Sequence, residues 1–268
     1  MAINKLEYEK FGIYFAVKSK VKNYIVSNAN GVCNPYRTGF QSIRYIRCDI
    51  NKKKKVIITG IPRSGTGFIA NTLKTYRNSK ILGEVFDHGV WENYKSTVET
   101  SENFSLQYRA ELFGLKYLLF QTPTYLEDLE RLSKLGWHII GTIRDEPFHQ
   151  ALSFYTATVT KRYHVLKSGN NASKNYSSFL VDKNIFSDLI ELYKKANFQL
   201  RIDYKSVTKD NNKILFDEIK AEDPCCRKLE KILTLEVESL KPNEEKTQIN
   251  YHELVLNYSY LEMEFQNG

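Results

Sequence analysis

Between Lys55 and Leu235 short aliphatic or β-branched runs alternate with longer stretches whose apolar residues recur at helical spacing. The runs Val56–Gly60, Lys80–Phe86, Leu115–Phe120, His138–Ile143 and Lys213–Phe216 predict strands. Thr66–Tyr76, with Phe68, Ile69, Thr72 and Leu73 on one stripe, predicts the first helix. Further helices are predicted at Leu126–Leu135, Phe148–Tyr163, Phe179–Gln199 and Pro224–Leu233. Strand and helix alternating in this way predict an α/β fold, a central parallel sheet flanked by helices on both faces, with ligands at the carboxyl ends of the strands.

The first fifty residues lack a sustained period and contain the turn-rich stretch from Asn28 to Pro35. They are set apart as an N-terminal extension, residues 1–50, ahead of a domain spanning 51–268. Gly169–Ser178, rich in Ser, Asn and Lys, reads as a surface loop. No internal repeat or low-complexity tract is present.

At 268 residues and 42% hydrophobic composition the chain is long enough to bury a core without disulfide or metal staples. Its net charge of +8 suits an anionic partner, without separating a nucleotide from a nucleic acid. The lysine run Lys52–Lys55 reads as a solvated approach to the first strand. Cys33, Cys48, Cys225 and Cys226 have neither zinc nor disulfide spacing, so a reducing, cytoplasmic compartment is expected. Met1–Val26 holds no uninterrupted apolar stretch, so neither a signal peptide nor a membrane span is expected. The Asn-x-Ser triplets at Asn103, Asn171, Asn175 and Asn257 are then chance matches.

The chemistry concentrates in Gly60-Ile-Pro-Arg-Ser-Gly-Thr-Gly67, between a predicted strand and a predicted helix. Glycines let backbone N–H groups converge on an anion, and the following helix adds its positive end. Gly60 and Gly65 have the spacing of an ATP-type phosphate loop, but Thr66 stands where that loop has lysine. The cation lies inside the loop, at Arg63.

Pro62-Arg63-Ser64-Gly65-Thr66 resembles the 5′-phosphosulfate loop of the sulfotransferase family. The resemblance implies that Arg63, Ser64, Gly65, Thr66 and Gly67 hold the 5′-phosphosulfate of 3′-phosphoadenosine-5′-phosphosulfate, with Arg63 neutralising charge on the bridging oxygen. Arg144-Asp145 and Ala151-Leu-Ser-Phe-Tyr155 resemble the family's 3′-phosphate segment, which implies a phosphate held by Arg144 and Ser153. These two are nine residues apart, one more than usual, and the extra residue falls near Glu146. Leu112-Phe-Gly-Leu-Lys116 and Ile214–Pro224 resemble architectural stretches of the family, the former in bacterial carbohydrate sulfotransferases. The resemblance spans roughly Lys55 to Leu235.

Transfer to an alcohol needs a proton acceptor near the reacting oxygen. Glu84, 21 residues after Arg63, has the separation of the proposed base in trehalose-type bacterial sulfotransferases, and a place near Arg63 is expected for it. His88 is the alternative base. His149 reads as a helix-surface residue. Trp91, Tyr94 and Phe104, in a loop expected from Asp87 to Phe104, are candidates to stack on a sugar. The expected acceptor is a hydroxyl of a carbohydrate or related small molecule. No metal, nucleic acid or membrane span is expected. Two rivals share the fold: a P-loop kinase acting on a small hydroxyl compound, and a non-catalytic binding protein for nucleotide or nucleic acid.

Overall fold

The computed structural model of the chain describes residues 53–86, 96–119, 121–122, 124–160, 178–207, 213–215, 223–236, 239–241 and 250–265. All of them lie within one compact unit, Cys48–Gly268. The extension at 1–50, His88, Trp91, Tyr94 and the loop up to residue 177 lie outside the described residues.

Strand β1, Lys54–Gly60, is the centre of the sheet because its Val56-Ile57-Ile58 run is fully buried on both faces. A five-stranded parallel sheet forms around it in the order β2-β3-β1-β4-β5, where β2 is Ser79–Glu84, β3 Leu112–Leu118, β4 Trp137–Ile143 and β5 Lys213–Leu215. Crossovers run through helices α1 (Thr66–Leu73), α2 (Thr97–Gln107), α3 (Tyr125–Lys134), and the pair α4 (Pro147–Thr160) and α5 (Lys183–Val207). Helices α6 (Asp223–Leu233), α7 (Tyr251–Leu254) and α8 (Tyr258–Phe265) follow. The sequence-based α/β expectation therefore holds.

Helices cover both faces. On one, Val56, Ile58 and Ile140 pack with Phe68, Ile69 and Leu73 of α1 and with Cys225, Cys226, Leu229 and Leu233 of α6. On the other, the ring of Tyr204 from α5 presses so closely on Gly141 that a Cβ there would lie 2.6 Å from its Cδ2. Tyr204 meets Tyr125 of α3 hydroxyl to hydroxyl at 3.3 Å, and Tyr125 in turn meets the buried hydroxyl of Thr59.

Three expectations are revised. The third strand begins at Leu112 rather than Leu115, because Leu112-Phe-Gly pairs with Lys54-Lys-Val of β1. The loop expected from Asp87 to Phe104 gives way at Thr97 to α2, whose N-cap Ser96 accepts from the Glu99 N–H at 3.3 Å, so Phe104 stands on a helix. The lysines at the start of β1 are also engaged. Lys53 donates to the carbonyls of Ser105 and Tyr108 at the end of α2, Lys54 donates to Leu233 O at 2.6 Å at the end of α6, and Lys55 pairs with Glu102 at 2.9 Å. Ammonium groups there meet the negative ends of two helix dipoles.

Candidate phosphosulfate site

The carboxyl edge of the sheet carries the turn from β1 to α1. Gly60 is required by space: a Cβ there would lie 2.6 Å from Ser64 Oγ and 2.9 Å from Thr142 O. Ser64 is fully buried, and its hydroxyl donates to Ile61 O at 2.8 Å and meets Thr142 Oγ1 at 2.6 Å. The side chain of Ser64 thus locks the turn against β4. Gly65, at φ 96, is the N-cap of α1, and no side chain caps that end. The first-turn N–H groups of Thr66, Gly67 and Phe68 have no partner within the helix, as for every α-helix, and no acidic residue occupies the turn. Such an end favours an anion.

Arg63 has φ 68, a left-handed conformation that costs a side-chain-bearing residue about 1 to 3 kcal/mol. Its side chain reaches α4. Its Nε donates to Ser153 Oγ at 2.8 Å. Arg144 follows the last residue of β4, with its side chain 11% exposed, and its Nη2 donates to Glu146 Oε2 at 3.3 Å. Glu146 also faces His149 Nδ1 at 3.7 Å. Burial lowers the Arg144 guanidinium from its ordinary value, and the positive charge of Arg63 adds to this, against the pull of Glu146 and Tyr251. Arg63, in the turn after β1, and Arg144, directly after β4, both stand at the carboxyl edge of the sheet. A bound anion would offset the cost of burying the Arg144 guanidinium.

Glu84 ends β2. A bulge at Gly83 shifts the register so that Glu84 stands opposite Lys116 of β3. Lys116 Nζ donates to Glu84 Oε1 at 2.8 Å. Its side chain is 7% exposed and that of Glu84 is 32% exposed, so the lysine is the more buried partner of the pair. The cation paired with Glu84 is Lys116. Lys116, read from sequence as architecture, thus touches the candidate base.

Two further residues had no sequence signal beyond helical periodicity. Gln150, buried on α4, donates from Nε2 to Pro62 O at 3.0 Å, and its Oε1 accepts from Asn197 Nδ2 of α5 at 2.9 Å. Among the described residues no three His, Cys, Asp or Glu side chains are grouped to hold a metal ion, and no helix is long and apolar enough to cross a membrane.

No protein-family model matches the chain, and no curated protein matches its sequence. Among solved structures it is similar to one described as the crystal structure of a sulfotransferase from Alicyclobacillus acidocaldarius. That match has a TM-score of 0.49 and 16% identity, and covers 80% of this chain and 96% of the other.

Proposed function

We infer that the chain is a sulfotransferase that takes a sulfuryl group from 3′-phosphoadenosine-5′-phosphosulfate and passes it to a hydroxyl, with a carbohydrate or related small molecule as acceptor. One observation carries the reading: Arg63, in the turn after β1, donates to Ser153 Oγ on the helix after β4, so the turn meets the segment that begins with Arg144 at the carboxyl edge of the sheet. Two cations on one carboxyl edge of a sheet suit a ligand with two separated anionic groups.

In this reading Arg63 and the N–H groups of Gly65, Thr66 and Gly67 hold the 5′-phosphosulfate, and Arg144 with Ser153 holds the 3′-phosphate. Ser64 contributes its backbone position, since its hydroxyl is spent on Ile61 and Thr142. The acceptor oxygen forms a bond to sulfur as the sulfur–oxygen bond to the 5′-phosphate breaks. Arg63 takes up the negative charge that grows on that phosphate. The acceptor proton goes to Glu84, whose carboxylate is oriented by Lys116. His88 remains the alternative base.

The kinase rival would need a lysine where Thr66 stands. The nucleic-acid rival drew on the positive charge, yet Lys53, Lys54 and Lys55 are engaged with helix ends and Glu102. Thermal shift separates the readings. Adenosine 3′,5′-bisphosphate without metal should raise the melting temperature. Stabilisation by ATP with magnesium and none by the bisphosphate would support the kinase instead.

A further inference from the structure

Helices α4 and α5 lie side by side along an antiparallel series of contacts. Phe154 meets Tyr193 with ring centroids 6.2 Å apart, Gln150 meets Asn197 at 2.9 Å, and Asp145 meets Arg201 in an ion pair. Tyr204 closes the series on Gly141. Two of these contacts reach the turns that carry the arginines. Asp145 directly follows Arg144, and Gln150 holds the carbonyl of Pro62, which directly precedes Arg63.

The Pro62 carbonyl belongs to the same peptide plane as the Arg63 N–H. Fixing that oxygen fixes the plane from which Arg63 departs, and so supports its left-handed φ of 68. A strained residue persists only where its surroundings over-determine it. Gln150 is suited to this because its amide has both a donor and an acceptor. The donor is used on Pro62, and the acceptor is set by Asn197, which fixes which way the amide faces. A leucine in its place would pack but could not hold the carbonyl.

We propose that Gln150, oriented by Asn197, is a positioning residue that holds the Pro62–Arg63 peptide and so aims Arg63 at the 5′-phosphosulfate. The role of the clamped turn rests on the sulfotransferase reading, whereas the clamp itself does not.

Hydrogen exchange of residues 61–69 in the full chain tests it. In Gln150→Leu the protection of this segment should fall about tenfold, the effect of losing one buried hydrogen bond, while β4 keeps its protection. Thr156→Val, a buried change on the same helix, should leave the segment as in the wild type. Gln150→Glu separates positioning from packing. Its carboxyl can accept from Asn197 at any pH but can donate to Pro62 only when protonated, so protection relative to the wild type should recover as pH falls. Should Gln150→Leu fail to fold, this variant carries the test. Equal protection in Gln150→Leu and wild type, or no pH dependence in Gln150→Glu, overturns the proposal. Calorimetry with adenosine 3′,5′-bisphosphate on the same proteins keeps the two readings apart. A wild type that does not bind it overturns the donor assignment, and the exchange data still decide the clamp. If the wild type binds, Gln150→Leu should weaken affinity about tenfold.

Discussion

Arg63 Nε donates to Ser153 Oγ at 2.8 Å across 90 residues of sequence. Through this bond the turn after β1 and the helix after β4 share one wall at the carboxyl edge of the sheet. The strained backbone of Arg63 makes the cost of this arrangement measurable. Arg63→Ala must still adopt φ 68, whereas Arg63→Gly does so freely, so the glycine variant should be more stable than the alanine variant by about 1 kcal/mol in denaturant unfolding. Both should lose affinity for adenosine 3′,5′-bisphosphate by about tenfold or more. Equal stability of the two variants would show that the turn is not strained.

The Glu84–Lys116 pair predicts an asymmetry. Removing Glu84 leaves the more buried lysine without its carboxylate, while removing Lys116 leaves the more exposed partner. Glu84→Ala should therefore destabilise the fold by about 2 kcal/mol, and Lys116→Met by less. Glu84→Gln should lower the transfer rate by about a hundredfold or more while donor affinity stays within a few-fold. Unchanged turnover in Glu84→Gln would move the base assignment to His88.

Alkaline pH should unfold the protein through its buried tyrosines. Burial pushes Tyr117, Tyr125 and Tyr204 well above their ordinary value, with the Asp128 carboxylate adding to the shift of Tyr117. Their stabilisation is complete below the unfolded value of about 10 and is lost as pH rises above it, because the unfolded chain then releases protons that the folded chain keeps. Each tyrosine contributes a slope of up to about 1.4 kcal/mol per pH unit. Urea unfolding between pH 9 and 11 should be less steeply pH-dependent in Tyr204→Phe than in the wild type.

Gly60→Ala should cost about 1 to 3 kcal/mol, since the new methyl would lie 2.9 Å from the backbone oxygen of Thr142. The same change displaces Ser64, so bisphosphate affinity should fall with stability. A variant that is as stable and binds as tightly as the wild type would mean that the turn has room to spare.

Much of the sheet was legible because parallel strands buried on both faces read as continuous apolar runs, as Val56–Ile58 and Ile139–Ile140 do. The turn was legible because glycine and proline punctuate it. Helix α2 also carries a signal: Ser96 and Glu99 form the Ser-x-x-Glu pattern of a helix start, next to the aromatics Trp91 and Tyr94. The bulge at Gly83 and the reach of Gln150 to Pro62 carry none. Each depends on which residues the finished fold brings together, and neither leaves a periodic trace. Lys116 was visible as a lysine inside an apolar strand, but its partner lies 32 residues away on β2.

In the proposed function Arg63 and Arg144 hold opposite ends of one bound molecule. Calorimetry with adenosine 3′,5′-bisphosphate and with adenosine 5′-monophosphate tests it in the wild type, Arg63→Ala and Arg144→Ala. The account predicts that Arg63→Ala weakens both ligands, while Arg144→Ala weakens the bisphosphate by about tenfold or more and leaves the monophosphate nearly unchanged. Equal losses for both ligands in Arg144→Ala, or none for either, would contradict it.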